Sequence, residues 1–398
     1  MPEAVVTAAA RTPFGKFGGA LKPLQATDLG GLAIKEALRR AGVAGDQVDE
    51  VIMGMVVPAG QGQIPGRQAS VKGGVPHSVP ALTINKVCGS ALKAVALAAQ
   101  SIRAGDAQIV VAGGMESMSN IPYVAPDVRW GARMNDSLLK DAMVLDGLWC
   151  PENDVHMAVI GGSVAGEYGI SREQQDAWAL RSQLRWAAGE AAGAFDDERF
   201  AVEVPGRKGA VTVVDKDEAP RPDTTAEGLA KLPPLFVKDG TVTAGNAPGT
   251  NDGASAVVVM SRAKAEELGA PILATIRGHA QAARESRFIA TVPGIAMQEL
   301  MSRHGLTLAD FDRIEINEAF AAVPLVSGLG VLKMSPQEMD EKVNVNGSAV
   351  AVGHPIGATG ARILMTLIYE LRRSGLKSGV AAICSGMAQG DAVWVTVD

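Results

Sequence analysis

A chain of 398 residues is longer than one hydrophobic core usually sustains, so two or three core-forming units are expected. Its hydrophobic fraction of 47% and charged fraction of 20% are those of a globular protein, and no apolar run is long enough to cross a bilayer, so membrane insertion is not expected. A net charge of −6 argues against nucleic acid as a partner, because the phosphate backbone calls for a concentrated positive surface.

The N-terminus, Met-Pro-Glu-Ala-Val-Val, carries neither a basic and apolar leader nor an Arg-rich amphipathic presequence, and a cytoplasmic location is expected. Cys88, Cys150 and Cys384 are spaced like neither a disulfide framework nor a zinc site, which fits a reducing compartment and no bound metal. Val51–Val57 reads as a buried strand. A strand-like segment then leads to Cys88, followed by a helix over Ser90–Ile102, a strand over Ile109–Ala112 and a Gly-Gly-Met turn at Gly113–Met115. Residues 121–244 differ, being rich in Pro, Gly, charge and helical stretches such as Ser171–Ala192, whose Ser171 and Glu173-Gln174 resemble a helix start. This region looks inserted, with strand patterns resuming at Ala244. Ala256–Met260 and Arg313–Ile316 read as further strands. A strand-like segment then leads to His354, followed by a helix over Ala358–Arg373, a strand over Val380–Ile383 and a Ser-Gly-Met turn at Ser385–Met387. One unit is thus present twice in an α/β architecture with mainly parallel strands. Packing the halves together brings the turns bearing Cys88, His354 and Cys384 to one end of the sheets, where ligands of open α/β folds bind.

Cys88 lies where a strand pattern becomes a small-residue helix. A thiol at a helix N-terminus faces free N–H groups and the positive end of the macrodipole, which predicts a lowered pKa and a reactive thiolate; a buried structural cysteine is the competing reading. His354, in Gly353-His354-Pro355-Ile356-Gly357, sits in a loop that Pro and Gly hold tight, whereas His77, His279 and His304 have no such setting. Cys384 ends a buried strand and offers a second thiol as acid or base; Cys150, beside Trp149 and Pro151, reads as packed. Asn317-Glu318-Ala319-Phe320 follows the strand Arg313–Ile316, so an amide that can orient a water and a carboxylate that can orient an imidazole stand at a strand end, unless Asn317 is a helix N-cap. No Walker loop, dinucleotide fingerprint or Gly-x-Ser-x-Gly elbow is present, which removes the usual support for nucleotide and serine-esterase chemistry.

Several motifs in order resemble the thiolase family: Arg11-Thr12-Pro13-Phe14-Gly15, Asn85–Lys93 around Cys88, Gly113-Gly114-Met115-Glu116-Ser117-Met118-Ser119, Gly245-Asn246-Ala247, Asn251-Asp252-Gly253-Ala254, Asn317–Phe320, and Asn344–Gly347 through Gly353–Gly357. The resemblance spans nearly the whole chain. It implies a five-layered αβαβα fold of two related halves, residues 1–120 plus 245–273 and residues 274–398, with 121–244 as a loop domain for CoA binding and tetramerisation. It further implies an acyltransferase that joins two acetyl-CoA into acetoacetyl-CoA plus CoA, with no cofactor beyond the CoA of substrate and product. Cys88 would be the acyl-accepting nucleophile, His354 its activator and Cys384 the proton shuttle; Asn317 would hold a water that, with His354, forms one oxyanion hole, and the N–H groups of Cys88 and Gly386 would form the other. CoA would lie with Arg221 near its nucleotide end and Leu148, His156, Met157, Phe236, Ala244, Ala319 and Phe320 around the pantetheine.

The His156-Met157 pair resembles the acetoacetyl-CoA branch. Gly228 and Pro248 stand where that branch commonly has CoA-contacting serines, and Ile289 where it often has a Met against the acyl group. After Cys384-Ser385-Gly386 the family commonly continues Gly-Gly-Met-Gly, whereas this chain reads Met387-Ala388-Gln389-Gly390, so either the turn is reshaped or positive φ was never needed there. A degradative 3-ketoacyl-CoA thiolase for longer chains is the alternative within the class. A decarboxylating ketoacyl synthase is disfavoured by a Cys at the third position, and a non-catalytic acyl-CoA-binding relative by the presence of every reactive group.

Overall fold

The computed structural model describes residues 1–398, the side chain of Arg207 excepted. Ten strands form one sheet: nine of them, β1 (Ala4–Arg11), β2 (Glu50–Gly54), β3 (Ala81–Ile84), β4 (Ile109–Ser117), β5 (Asn251–Ser261), β6 (Ala274–Ala283), β7 (Arg313–Ile316), β8 (Ser378–Ser385) and β9 (Gln389–Thr396), lie in the order β3-β2-β4-β5-β1-β6-β9-β8-β7, and the two-residue strand Gly15–Lys16 pairs with the start of β5 off this path. The order is a near palindrome about the β1–β6 contact, which consists of two residue pairs, Val5 with Thr275 and Val6 with Ala274. Each half therefore carries the same arrangement, as expected from the sequence repeat.

The expectation of mainly parallel strands is corrected. Only β2/β3, β2/β4 and β7/β8 run parallel, at the outer edges, while the ladders from β4 through β5, β1, β6 and β9 to β8 are antiparallel. The apolar runs suggested parallel strands because a strand buried on both faces reads the same in either direction. A second correction concerns the segment before His354. Its strand reduces to a single bridge of Val343 with Ile314, followed by a helical turn over Ala349–Val352. Gly113–Met115, read as a turn, lies inside β4, all nine residues of which are buried.

Helices α1 (Ala26–Ala41), α2 (Ser90–Ala104), α3 (Met157–Ser163), α4 (Arg172–Ala191), α5 (Val292–His304) and α6 (Thr359–Arg373) complete the layers that position the site. α1 covers β1, β4 and β5; α5 covers β6, β8 and β9; α2 and α6 pack on each other between the two half-sheets. The result is the five-layered αβαβα stack. Small residues make the middle layer thin: Ala91, Ala94 and Ala98 of α2 are buried, and a Cβ on Gly360 of α6 would come 2.3 Å from the Leu92 backbone nitrogen. On α6, Ile363, Leu364, Leu367 and Ile368 are buried, each contributing about 1.5–3 kcal/mol.

Residues 121–244 supply no strand to the large sheet and carry small two-stranded sheets and α3 and α4, with large-sheet strands resuming at Asn251 rather than Ala244. α4 starts as expected: the Ser171 N–H donates to Gln174 Oε1 at 2.8 Å and the Gln174 N–H to Ser171 Oγ at 3.3 Å. Arg11, from the first motif, is buried and ties this region to β1 through Glu198 at 2.7 Å and Asp217 at 2.6 Å.

Candidate active site

Cys88, His354 and Cys384 line one cavity of about 200 Å³, together with Leu148, His156, Met157, Phe236, Ile289, Ala319 and Phe320. The sequence pointed to all ten. Arg221 and Ala244 lie instead in a smaller neighbouring cavity, which shares Ala247, Gly249 and Thr250 with the first. Lining residues that the sequence reading missed include Val87, Met118, Leu235, Thr250 and Ile356.

The Cys88 loop is built by its own backbone polar groups. β3 ends at Ile84, and Asn85 Oδ1 then accepts from the Val87 N–H at 2.9 Å, with Val87 at φ 46, while Ser90 Oγ donates to the Val87 carbonyl at 2.7 Å. A left-handed β-branched residue immediately before the thiol is a strained feature held by these bonds. The lowered thiol pKa expected from the helix start is corrected. Burial dominates the helix-end field and, with the nearby Glu116 carboxylate, pushes the Cys88 thiol up to about 12. Cys384 is also raised, by burial first and then by Cys88.

His354 is fixed on three sides. Its N–H donates to Asn251 Oδ1 at 2.9 Å, and Gly353 before it, at φ 102, has no room for a Cβ, which would come 2.4 Å from the Asn251 side chain. Nδ1 lies 2.7 Å from Thr359 Oγ1, whose own hydrogen goes to the Pro355 carbonyl at 2.9 Å. Thr359 therefore accepts from Nδ1–H, and Nε2, buried and without a protein partner, carries the free lone pair. Burial lowers the imidazole to about 3, with Arg362 adding to the effect. Thiol and imidazole are thus both neutral at rest.

Asn317 donates its backbone N–H to the Ala382 carbonyl at 2.9 Å, but both atoms of its buried amide lack protein partners, so one donor and one acceptor remain available. It caps no helix, since the next one begins at Ala322. Glu318 does not orient the imidazole: it accepts from Trp178 Nε1 at 2.8 Å, Ser182 Oγ at 2.7 Å, Asn344 Nδ2 at 3.2 Å and the Val350 N–H at 3.0 Å. It joins α4 to the segment preceding His354 instead.

The Cys384 turn is a hairpin in which Met387 and Ala388 stand at φ 55 and φ 48, so the position demands positive φ without glycine. A Cβ on Gly386 would come 2.7 Å from Val87 Cγ2, which fixes this glycine against the Cys88 loop, and Ser385 Oγ donates to the Lys86 carbonyl. At the cavity mouth His156 caps α3, its Nδ1 accepting from the Ala158 N–H at 3.1 Å, and stacks on Phe236 with centroids 4.1 Å apart. Phe236, at φ 64, is mostly exposed. Pro248 lines the cavity, and Gly228 donates its N–H to Thr225 Oγ1 at 3.1 Å.

Residues 4–263 match the family model described as Thiolase, N-terminal domain, and residues 270–397 that described as Thiolase, C-terminal domain. The chain is 51% identical over 395 residues to an acetyl-CoA acetyltransferase of Cupriavidus necator, covering 99% of each. It is 47% identical to one of Pseudomonas aeruginosa, covering 100% of each. The crystal structure of the Bacillus anthracis acetyl-CoA acetyltransferase superposes with a TM-score of 0.96 at 40% identity, covering 100% of this chain and 99% of that one.

Proposed function

The chain belongs to the thiolase family and is an acyltransferase, and from that premise we propose that it joins two acetyl-CoA into acetoacetyl-CoA and CoA, reversibly, through an acyl-Cys88 intermediate. The observation that carries this reading is the convergence of two thiols and one imidazole, its free Nε2 buried, on a single apolar cavity.

The chemistry follows from those groups. As Cys88 sulfur attacks the first thioester carbonyl, its proton passes to His354 Nε2, because neither partner is charged beforehand. The C–S bond to CoA breaks, and Cys384, a neutral thiol at rest, gives its proton to the departing sulfur. The Cys384 thiolate then removes the α-proton of a second acetyl-CoA, whose carbanion attacks the acyl-Cys88 carbonyl and expels the Cys88 thiolate, reprotonated from His354. The amide of Asn317 and the N–H groups of Cys88 and Gly386 would stabilise the developing oxyanions, and Leu148, Met157, Ile289 and Phe236 would hold the acyl group and pantetheine. Arg221 and Ala244, in the adjoining cavity, would face the nucleotide end of CoA. No cofactor is required.

We further assign a cytoplasmic homo-oligomer, a tetramer. The segment 123–141 exposes Trp130 at 96%, Met134 at 81%, Leu138 at 70% and Leu139 at 68%, an apolar surface suited to a second copy.

Mass spectrometry after brief acetyl-CoA exposure should find one acetyl group, on Cys88; an adduct confined to Cys150 or Cys384 would overturn the assignment. Steady-state assays with acetoacetyl-CoA and longer 3-ketoacyl-CoA esters should favour the short substrate. A preference for longer chains would make the enzyme a degradative 3-ketoacyl-CoA thiolase.

A further inference from the structure

Glu116 is a fully buried carboxylate near the C-terminal end of an apolar strand, and none of the proposed catalytic steps uses it. Burial raises its pKa to about 7, so the fold bears a cost to keep it ionised at neutral pH. What offsets that cost is three backbone donors: the N–H groups of Val56 at 2.9 Å and Gly357 at 3.0 Å on Oε2, and of Val57 at 3.2 Å on Oε1.

Of these donors Gly357 belongs to the loop that carries His354, whereas Val56 and Val57 follow β2 and reach the Cys88 loop through Asn85. Gly357 closes the His354 loop, and a Cβ there would come 2.6 Å from Glu116 Oε2, so the loop rests directly on the carboxylate. Val56 passes the restraint to the other loop: its carbonyl accepts from Asn85 Nδ2 at 3.0 Å, and Asn85 Oδ1 accepts from the Val87 N–H at 2.9 Å, one residue before Cys88. A single side chain is therefore connected, by two bonded routes, to the nucleophile and to its base, which come from different halves of the fold.

We propose that Glu116 is the positioning residue that holds the Cys88 loop and the His354 loop in register, acting through backbone amides without touching substrate. A neutral amide cannot replace it, because Gln offers one accepting oxygen and an NH₂ that would face N–H donors. The ionisable group acting on Cys88 is Glu116 from β4, Cys88 in turn acts on Cys384 from β8, and His354 lines the same cavity.

The kinetic readout rests on the acyltransferase reading; the chemical readout does not. In Glu116→Gln the kcat for acetyl transfer should fall on the order of 10- to 100-fold, as expected when reacting groups lose alignment, with the acetyl-CoA KM little changed. Iodoacetamide should at the same time alkylate Cys88 severalfold faster at a fixed alkaline pH, because the neighbouring charge that helps to raise the thiol is gone. Asn85→Ala, at an exposed side chain, should lower kcat while leaving the alkylation rate near wild type, because the Glu116 charge remains. The loss in the double variant should be less than the product of the two single losses. Wild-type kcat in either variant, or an unchanged alkylation rate in Glu116→Gln, would overturn the proposal. If Glu116→Gln does not fold, Asn85→Ala alone decides it by its kcat. Inactivity of the wild-type protein toward acetyl-CoA would strike the acyltransferase reading, and the alkylation rates would still test Glu116.

Discussion

Two matching segments of the repeat have been put to opposite uses. In the first half β4 runs straight through Gly113-Gly114-Met115-Glu116, with Gly114 so close to the other half that a Cβ would lie 1.9 Å from the Gly357 carbonyl. In the second half β8 stops at Ser385 and reverses through Gly386, Met387 and Ala388, presenting Cys384 at its end. One segment is a strut on which the His354 loop leans, and the other is a bend that presents Cys384, the proposed proton carrier. The glycine is required by close approach in both, Gly114 against the Gly357 carbonyl and Gly386 against Val87 Cγ2, while the curvature of the bend falls on Met387 and Ala388 at positive φ.

This contrast can be broken in steps. The largest effect is expected in the bend, where Cys384→Ser should slow condensation by on the order of 10²–10⁴-fold while leaving acetylation of Cys88 far less affected, since a hydroxyl is a poor base near neutrality. Quench-flow measurement of the two half-reactions separates them, and equal losses would deny the bend its distinct role. Next, Gly114→Ala in the strut should cost about 2–4 kcal/mol in urea unfolding, because rigid backbone faces the new methyl group. A stable Gly114→Ala enzyme would mean that the halves can separate at this point.

The strut should also show a pH signature. Glu116, raised to about 7 in the folded state, holds a proton there that the unfolded chain releases in the ordinary carboxylate range. Its contribution is present below that range and is lost as pH rises through about 7, so Glu116→Gln should flatten the stability profile over that window. His354, lowered to about 3, acts in the opposite sense: stability falls as pH drops from the ordinary imidazole range toward about 3. Calorimetry across pH would reveal both slopes. The smallest effect returns to the bend, where Ala388→Gly should stabilise by about 0.5–1 kcal/mol, the relief of a left-handed alanine less the entropy that glycine adds to the unfolded chain.

The reactive groups were legible in the sequence because each stands at the end of an apolar run beside small residues, and Cys88, His354 and Cys384 do meet. Their protonation was not, because helix-end position is a local property whereas burial depends on the whole assembly around Cys88. Strand direction was illegible for a similar reason: Val257–Met260 reads as buried whether its neighbour runs with it or against it. Glu116 did leave a signal, a lone carboxylate within an otherwise uncharged strand, but its partners Val56 and Gly357 lie 60 and 241 residues away in the chain and donate through backbone that no side chain announces. The role expected of Glu318 failed in the same way, its four donors coming from α4 and the segment before His354.

The palindromic strand order also bears on how the chain is made. β1, eight residues that are all buried, is hydrogen-bonded on one side to β5 and on the other to β6, whose residues are not translated until more than 240 later ones have followed. At ribosomal speeds of about 5–20 residues per second, an apolar segment at the very start of the protein waits tens of seconds with both edges unpaired. During synthesis the leading strand is thus the part most in need of a chaperone, and the first half cannot close its own sheet until β5 has been made.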